Sequence, residues 1–162
     1  MNVLIKNAKV LVFEEDRLLT KDADIAIKGN VISEVGKIKT DFEFQKIIDA
    51  KNMLAMPGLI NTHTHLSMIL FRNYADDMPL FDWLTKKIWP LEAKLTAEAI
   101  YKASKLGIAE LIKSGVTGFL DMYFFAHETI KAALETGVRA YIARGLTDEE
   151  EGKEVQLNET RR

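Results

Sequence analysis

Two short segments, Lys113-Ser114-Gly115-Val116-Thr117 and Glu135-Thr136-Gly137-Val138-Arg139, punctuate the chain in the same way: helix, glycine, then a run of β-formers. A helix that stops on glycine and leads at once into an apolar strand is how consecutive βα units of a parallel sheet read. Upstream, Ile100, Ala103, Gly107, Ile108, Leu111 and Ile112 form one helical stripe behind Thr96, a residue with N-cap chemistry, while Lys102, Lys105 and Lys113 fall on other faces. Gly115 is expected at the left-handed position past the helix end. Val116 to Met122 is expected as a second buried strand, Ala126 to Thr136 as a helix stopped by Gly137, and Val138 to Leu146 as a third strand. From Thr147 the chain turns highly charged. The class is therefore α/β. A (β/α)8 barrel usually needs about 250 residues, and residues 56–162 hold at most three such units. The pattern leaves a small open sheet and an incomplete barrel both standing.

Residues 1–55 read differently, as a small β-module of short antiparallel strands. Val3-Leu4-Ile5, Val10-Leu11-Val12 and Ile25-Ala26-Ile27 are β-formers separated by polar or turn residues. Gly29-Asn30 lies between two such runs, and both residues tolerate positive φ, which is a hairpin signal. The character changes after Met56-Pro57-Gly58, and residues 56–162 are taken as the second domain.

Composition excludes several function classes. Hydrophobic residues make up 48% and charged residues 28%, the balance of a soluble globular chain. With a net charge of −2 there is no basic surface for nucleic acid or an anionic membrane. No cysteine is present, which removes disulfides, thiolate metal sites and a cysteine nucleophile. Lys6 and Lys9 interrupt the first apolar residues, so no signal peptide is read, and no apolar run approaches the ~20 residues that span a bilayer. A cytoplasmic location is expected.

The chemistry centres on Leu59-Ile60-Asn61-Thr62-His63-Thr64-His65, an apolar run that turns polar as a buried parallel strand does on reaching a site. Side chains on a strand alternate, so His63 and His65 project from one face. Two neutral imidazoles side by side suit a divalent metal, and the carboxyl ends of barrel strands are where active sites lie. The competing reading makes both surface residues at a strand end. His127, the third histidine, is expected as a solvent-side residue near a helix start. Asp121 ends the second strand, as a site residue or as a carboxylate bonding the following backbone. The aromatic-rich stretch from Phe71 to Trp89 reads as a long βα loop with one short helix, capped or started by Asp76, Asp77 or Asp82. Phe81, Trp83 and Trp89 read first as core or lid packing and second as a surface on which a planar ring stacks. Glu92 is by pattern a loop or helix-entry carboxylate. Arg144, near the end of an apolar strand, grips a polar or anionic substrate group or pairs with a neighbouring carboxylate.

The segment from Ile48-Asp49-Ala50-Lys51 to Met56-Pro57-Gly58-Leu59-Ile60-Asn61-Thr62-His63-Thr64-His65 resembles the entry into the first barrel strand of the amidohydrolase superfamily. Residues Ile25 to Ile32 resemble the flanking β-domain of the same proteins. Trp83-Leu84, Trp89-Pro90-Leu91-Glu92, Gly118 to Phe124, and Arg139-Ala140 with Arg144-Gly145-Leu146 are similar to the 5′-methylthioadenosine/S-adenosylhomocysteine deaminases, in the branch that also holds chlorohydrolases. The resemblance covers residues 3 to 148. It implies a small N-terminal β-module, part of a composite β-sandwich, followed by the first three βα units of an incomplete (β/α)8 barrel. It further implies Zn2+ or another divalent metal held in part by His63 and His65, Glu92 on the ribose hydroxyls, and Arg144 in the substrate pocket. The implied reaction is hydrolytic deamination of an adenosine-type nucleoside to the inosine analogue and ammonia. The family's later metal ligands and its proton-shuttling residues have no counterpart here, so no catalytic residue is assigned and the chain alone is expected to be inactive. The alternatives are another amidohydrolase (a chlorohydrolase, or a guanine or cytosine deaminase) and a non-catalytic module that self-associates through exposed sheet edges.

Overall fold

The computed structural model describes residues 1–145. The chain divides into two compact units, Met1–Pro57 and Gly58–Arg162.

The first unit is a five-stranded sheet. Strands β1 (Val3–Glu14), β2 (Arg17–Lys28), β3 (Val31–Gly36) and β4 (Lys46–Asp49) lie in the order β3-β2-β1-β4, and the short β5 (Leu54–Ala55) also pairs with β1. The Gly29-Asn30 hairpin forms as expected, with Gly29 at φ 66°. Two expectations change. Val3–Ile5 and Val10–Val12 belong to one long strand, because Asn7 at φ 61° absorbs a bulge where the register shifts between Ile5 and Ala8. The sheet is also mixed: β4 and β5 run parallel to β1. Ala8, Val10, Ile25 and Ala50 form its buried cluster.

The second unit holds a three-stranded parallel sheet of β6 (Leu59–Thr64), β7 (Val116–Met122) and β8 (Arg139–Ala143), in the order β6-β7-β8. Sequential strands are spatial neighbours, the winding of a βα barrel. The third strand ends at Ala143, and Leu146 lies outside the described residues. Helix α3 (Ala97–Lys113) and helix α4 (Ala126–Thr136) make the crossovers. Thr96 caps α3 by accepting the Ala99 N–H at 3.2 Å. Gly115 and Gly137 take left-handed φ of 85° and 74° past the two helix ends. Phe119 is fully buried with Leu66, Ile108, Ala132 and Ala133, and burying a side chain of that size contributes about 1.5–3 kcal/mol. Ile112, expected in the α3 stripe, is instead 51% exposed, so the buried face is narrower than the apolar pattern.

The stretch between β6 and α3 is more helical than its composition predicts. A 3₁₀ segment, Leu66–Phe71, follows the first strand. Helix α1 (Leu80–Trp83) then runs through a π-helical turn (Leu84–Ile88) into helix α2 (Trp89–Glu92). Pro90, in the first turn of α2, lacks an N–H and crowds the preceding carbonyls, and the widened turn ahead of it accommodates that defect. Asp76 and Asp77 do not cap this helix: its N-cap is Pro79 with no side-chain bond, and Asp82 in the first turn pairs with Lys86 at 2.9 Å.

Candidate metal centre

The end of β6 brings the two histidines together. Their ring centroids lie 5.2 Å apart at an interplanar angle of 77°. His63 is the strand's penultimate residue, while His65 lies one residue beyond the strand, at the N-cap of the 3₁₀ segment. The alternation therefore holds through the strand end, and neither ring is sealed in an apolar core.

His65 is oriented by the neighbouring strand. Its Nδ1 sits 2.7 Å from the backbone carbonyl oxygen of Met122. A carbonyl oxygen only accepts, so Nδ1 is the donor, and in the neutral ring Nε2 keeps its lone pair. A ring fixed through one nitrogen with the other free to donate electrons is the usual state of a metal-ligating histidine.

Asp121, on the neighbouring strand β7, is 1% exposed. Its Oδ1 accepts the Leu66 N–H at 2.9 Å, and its Oδ2 is buried without a hydrogen-bond partner among the described residues. Burial pushes its carboxyl above the ordinary range, against the opposing pull of the Leu66 and Met122 amides and of His65. The sequence left open whether Asp121 bonds the following backbone; in the structure the Met122 amide does act on its carboxylate, together with the Leu66 N–H 55 residues earlier in the chain.

His65, Glu92 and Arg144 line one cavity of about 350 Å³, walled in part by Trp83, Trp89 and Tyr123. Glu92, the last residue of α2, accepts the Tyr123 hydroxyl at 2.6 Å on Oε1. Desolvation and then the Glu92 carboxylate raise the Tyr123 phenol well above its ordinary pKa, so it stays a donor. Arg144 places its guanidinium 4.9 Å from the centre of the Phe124 ring, a cation–π contact. Trp83 is held by its indole N–H on the Ala75 carbonyl at 3.1 Å.

Other expected residues lie elsewhere. His63 is not part of the cavity wall and meets it through its contact with His65. Phe81, expected as core or lid packing, is 72% exposed and touches Trp89 edge-on. His127 sits in the first turn of α4 beside Glu128 at 3.5 Å. Sequence reading did not single out Tyr123 or the Met122 carbonyl. Strand parity alone puts Tyr123 on the side of Asp121, but its reach to Glu92 depends on the packing of α2.

Imidazole nitrogens have the donor chemistry a divalent cation takes, and the Met122 carbonyl fixes which His65 nitrogen could serve. Two imidazoles are fewer than the three protein ligands of a usual catalytic zinc site. Among the described residues no group of three or more His, Cys, Asp or Glu side chains could hold a metal ion.

The sequence model of the amidohydrolase family matches residues 54–162, more than half of the chain. This chain belongs to the amidohydrolase family. Among curated amidohydrolase relatives it is 51% identical to the 5-methylthioadenosine/S-adenosylhomocysteine deaminase of Caldanaerobacter subterraneus, over 99% of this chain and 37% of that protein. It is 47% identical to the 5′-deoxyadenosine deaminase of Methanosarcina mazei, over 99% of this chain and 38% of that protein. This amidohydrolase chain thus spans little more than a third of the length of the relatives it matches. Among solved structures, an adenosine deaminase from Xanthomonas campestris with bound zinc matches with a TM-score of 0.77 and 32% identity, over 85% of this chain and 32% of that one. The atrazine chlorohydrolase of Arthrobacter aurescens TC1, complexed with zinc, matches with a TM-score of 0.78 and 28% identity, over 93% and 37%. The α/β architecture is that of these enzymes. Among the described residues no helix is long and apolar enough to cross a membrane.

Proposed function

We propose that this chain supplies part of the active site of a metal-dependent deaminase acting on an adenosine-type nucleoside, such as S-adenosylhomocysteine or 5′-methylthioadenosine. One observation carries the reading: a histidine with its Nε2 left free and a carboxylate held by a tyrosine hydroxyl line the same cavity. In it His63 and His65 are two of the ligands to a divalent cation, taken to be Zn2+ from the zinc in two of the matched structures. When bound, such a cation supplies Lewis acidity, bringing the pKa of water from 15.7 toward about 7.

The chain's own residues then divide the work. Glu92, with Oε1 engaged by Tyr123, keeps Oε2 to accept hydrogen bonds from a ribose diol. Arg144, its guanidinium laid on the Phe124 ring, offers N–H donors to a polar substituent. Trp83 and Trp89 present apolar surface on which a purine stacks while bulk water is excluded. The product is the inosine analogue, with ammonia released.

A chimera tests this: the matching segment of the Caldanaerobacter deaminase is replaced by this chain. It is expected to bind zinc and release ammonia from S-adenosylhomocysteine. In the chimera Glu92→Gln should raise KM for nucleosides about tenfold or more, the loss of a charge-assisted hydrogen bond, with zinc content unchanged. Unchanged nucleoside affinity in that variant would remove Glu92 from the diol site. The likeness to atrazine chlorohydrolase favours a second reading, hydrolytic displacement of chloride from a triazine. A triazine has no diol, so Glu92→Gln would then leave KM unaltered.

A further inference from the structure

The end of the β6–β7 ladder raises a question that two imidazoles do not answer: what holds them in register where strand pairing stops. Thr64 and Asp121 are the last paired residues of that ladder. Beyond them the Leu66 N–H has no strand partner, and the Asp121 carboxylate takes it at 2.9 Å. One residue further along β7, the Met122 carbonyl takes the Nδ1–H of His65 at 2.7 Å. The two bonds act on adjacent residues of each strand end, one fixing the peptide after His65 and the other fixing the ring itself. Asp121 is 1% exposed, and its Oδ2 lacks any partner among the described residues. A buried carboxylate with one oxygen left without a partner is an unfavourable way to fasten backbone amides; a serine or asparagine would accept from them without the charge. The negative charge lies one residue from the carbonyl that holds His65 Nδ1 and close enough to act electrostatically on that ring. Where the ring must donate electrons to a cation, this gives the charge a purpose.

We propose that Asp121 is a positioning residue for the metal edge. Its carboxylate pins the Leu66 amide to the end of β7, so that the Met122 carbonyl meets His65 Nδ1 and Nε2 is left as the donor. The consequence for metal rests on the reading of His65 as a ligand; the orientation of the ring does not.

The test uses the 162-residue chain with ¹⁵N-labelled histidine. Long-range ¹H–¹⁵N spectra, at a pH where the rings are neutral, report the His65 tautomer; cobalt(II), followed by its visible absorption, reports metal affinity; circular dichroism melting reports folding. The parent chain is expected to show the Nδ1–H tautomer at His65. Asp121→Asn keeps an acceptor for Leu66 and should retain that tautomer while cobalt affinity falls about tenfold. Asp121→Ala removes both acceptor and charge, and should lose the tautomer preference with a fall of about a hundredfold. A folded Asp121→Ala chain whose His65 stays in the Nδ1–H form overturns the proposal. So does an Asp121→Asn chain that binds cobalt as the parent does, a comparison that stands even if the alanine variant fails to fold. Should the parent bind no cobalt at all, the metal reading fails, and the tautomer comparison still decides whether Asp121 orients His65.

Discussion

Tyr123, the residue after β7, and Glu92, the last of α2, are joined by a 2.6 Å hydrogen bond from phenol to carboxylate, so the cavity's acidic group is held from the strand end as well as by its own helix. Tyr123 is 6% exposed whereas Glu92 is half-buried, so Tyr123→Phe leaves a carboxylate that water can reach. We expect a stability loss of about 1 kcal/mol, read as a lower urea midpoint at constant m-value. The phenol pKa is raised in the folded chain. The folded state therefore holds this proton more tightly than the unfolded state, whose phenol titrates near 10. The contribution is complete below that pH and is lost as pH rises above it. Alkaline melts of the parent and of Tyr123→Phe should converge if Tyr123 carries it.

Metal uptake should depend on the paired rings and not on the third histidine. His63→Ala and His65→Ala are each expected to weaken zinc binding by about tenfold or more, since one imidazole is a poor site. His127→Ala, whose ring lies by Glu128 on α4, should bind as the parent does. Equilibrium dialysis with zinc measures all three, and loss of binding in His127→Ala would redirect the assignment to α4.

Catalysis should not accompany that binding. The described residues provide two imidazoles and no third ligating side chain beside them, so the 162-residue polypeptide with added zinc is expected to release no ammonia from S-adenosylhomocysteine. A coupled ammonia assay checks this, and steady turnover would overturn that expectation.

Gly107 lets α3 approach the residue after His65. A Cβ at this position would lie 2.6 Å from Leu66 Cδ1 and 2.8 Å from its Cγ, with the Leu66 carbonyl oxygen at 3.3 Å. Leu66 is buried against Ile108 and Phe119 and has little room to retreat. Gly107→Ala is therefore expected to cost about 1–3 kcal/mol by overpacking, despite the better helix propensity of alanine. Thermal melting decides the sign.

Thr96→Ala should cost about 1 kcal/mol by removing the cap on the Ala99 amide. The same melts measure it, and an unchanged midpoint would show that water replaces the hydroxyl.

The sequence by itself determined what local physics controls. Glycines that must take left-handed φ ended α3 and α4 at the expected places, and Thr96 announced its cap. The β-formers after each glycine fixed the parallel strands, and the two-residue period of a strand put His63 and His65 on one side. Long-range pairing decided the rest. One bulged residue, Asn7, merged two expected strands into one, and the parallel pairing of β4 and β5 with β1 depends on partners some forty residues apart. Around the site, the tautomer of His65, the burial of Asp121 and the bond between Tyr123 and Glu92 each need an atom from a second element to arrive within hydrogen-bond distance. Hydrogen bonds act only over about 3 Å, so no pattern along the chain encodes them until packing brings the partners together.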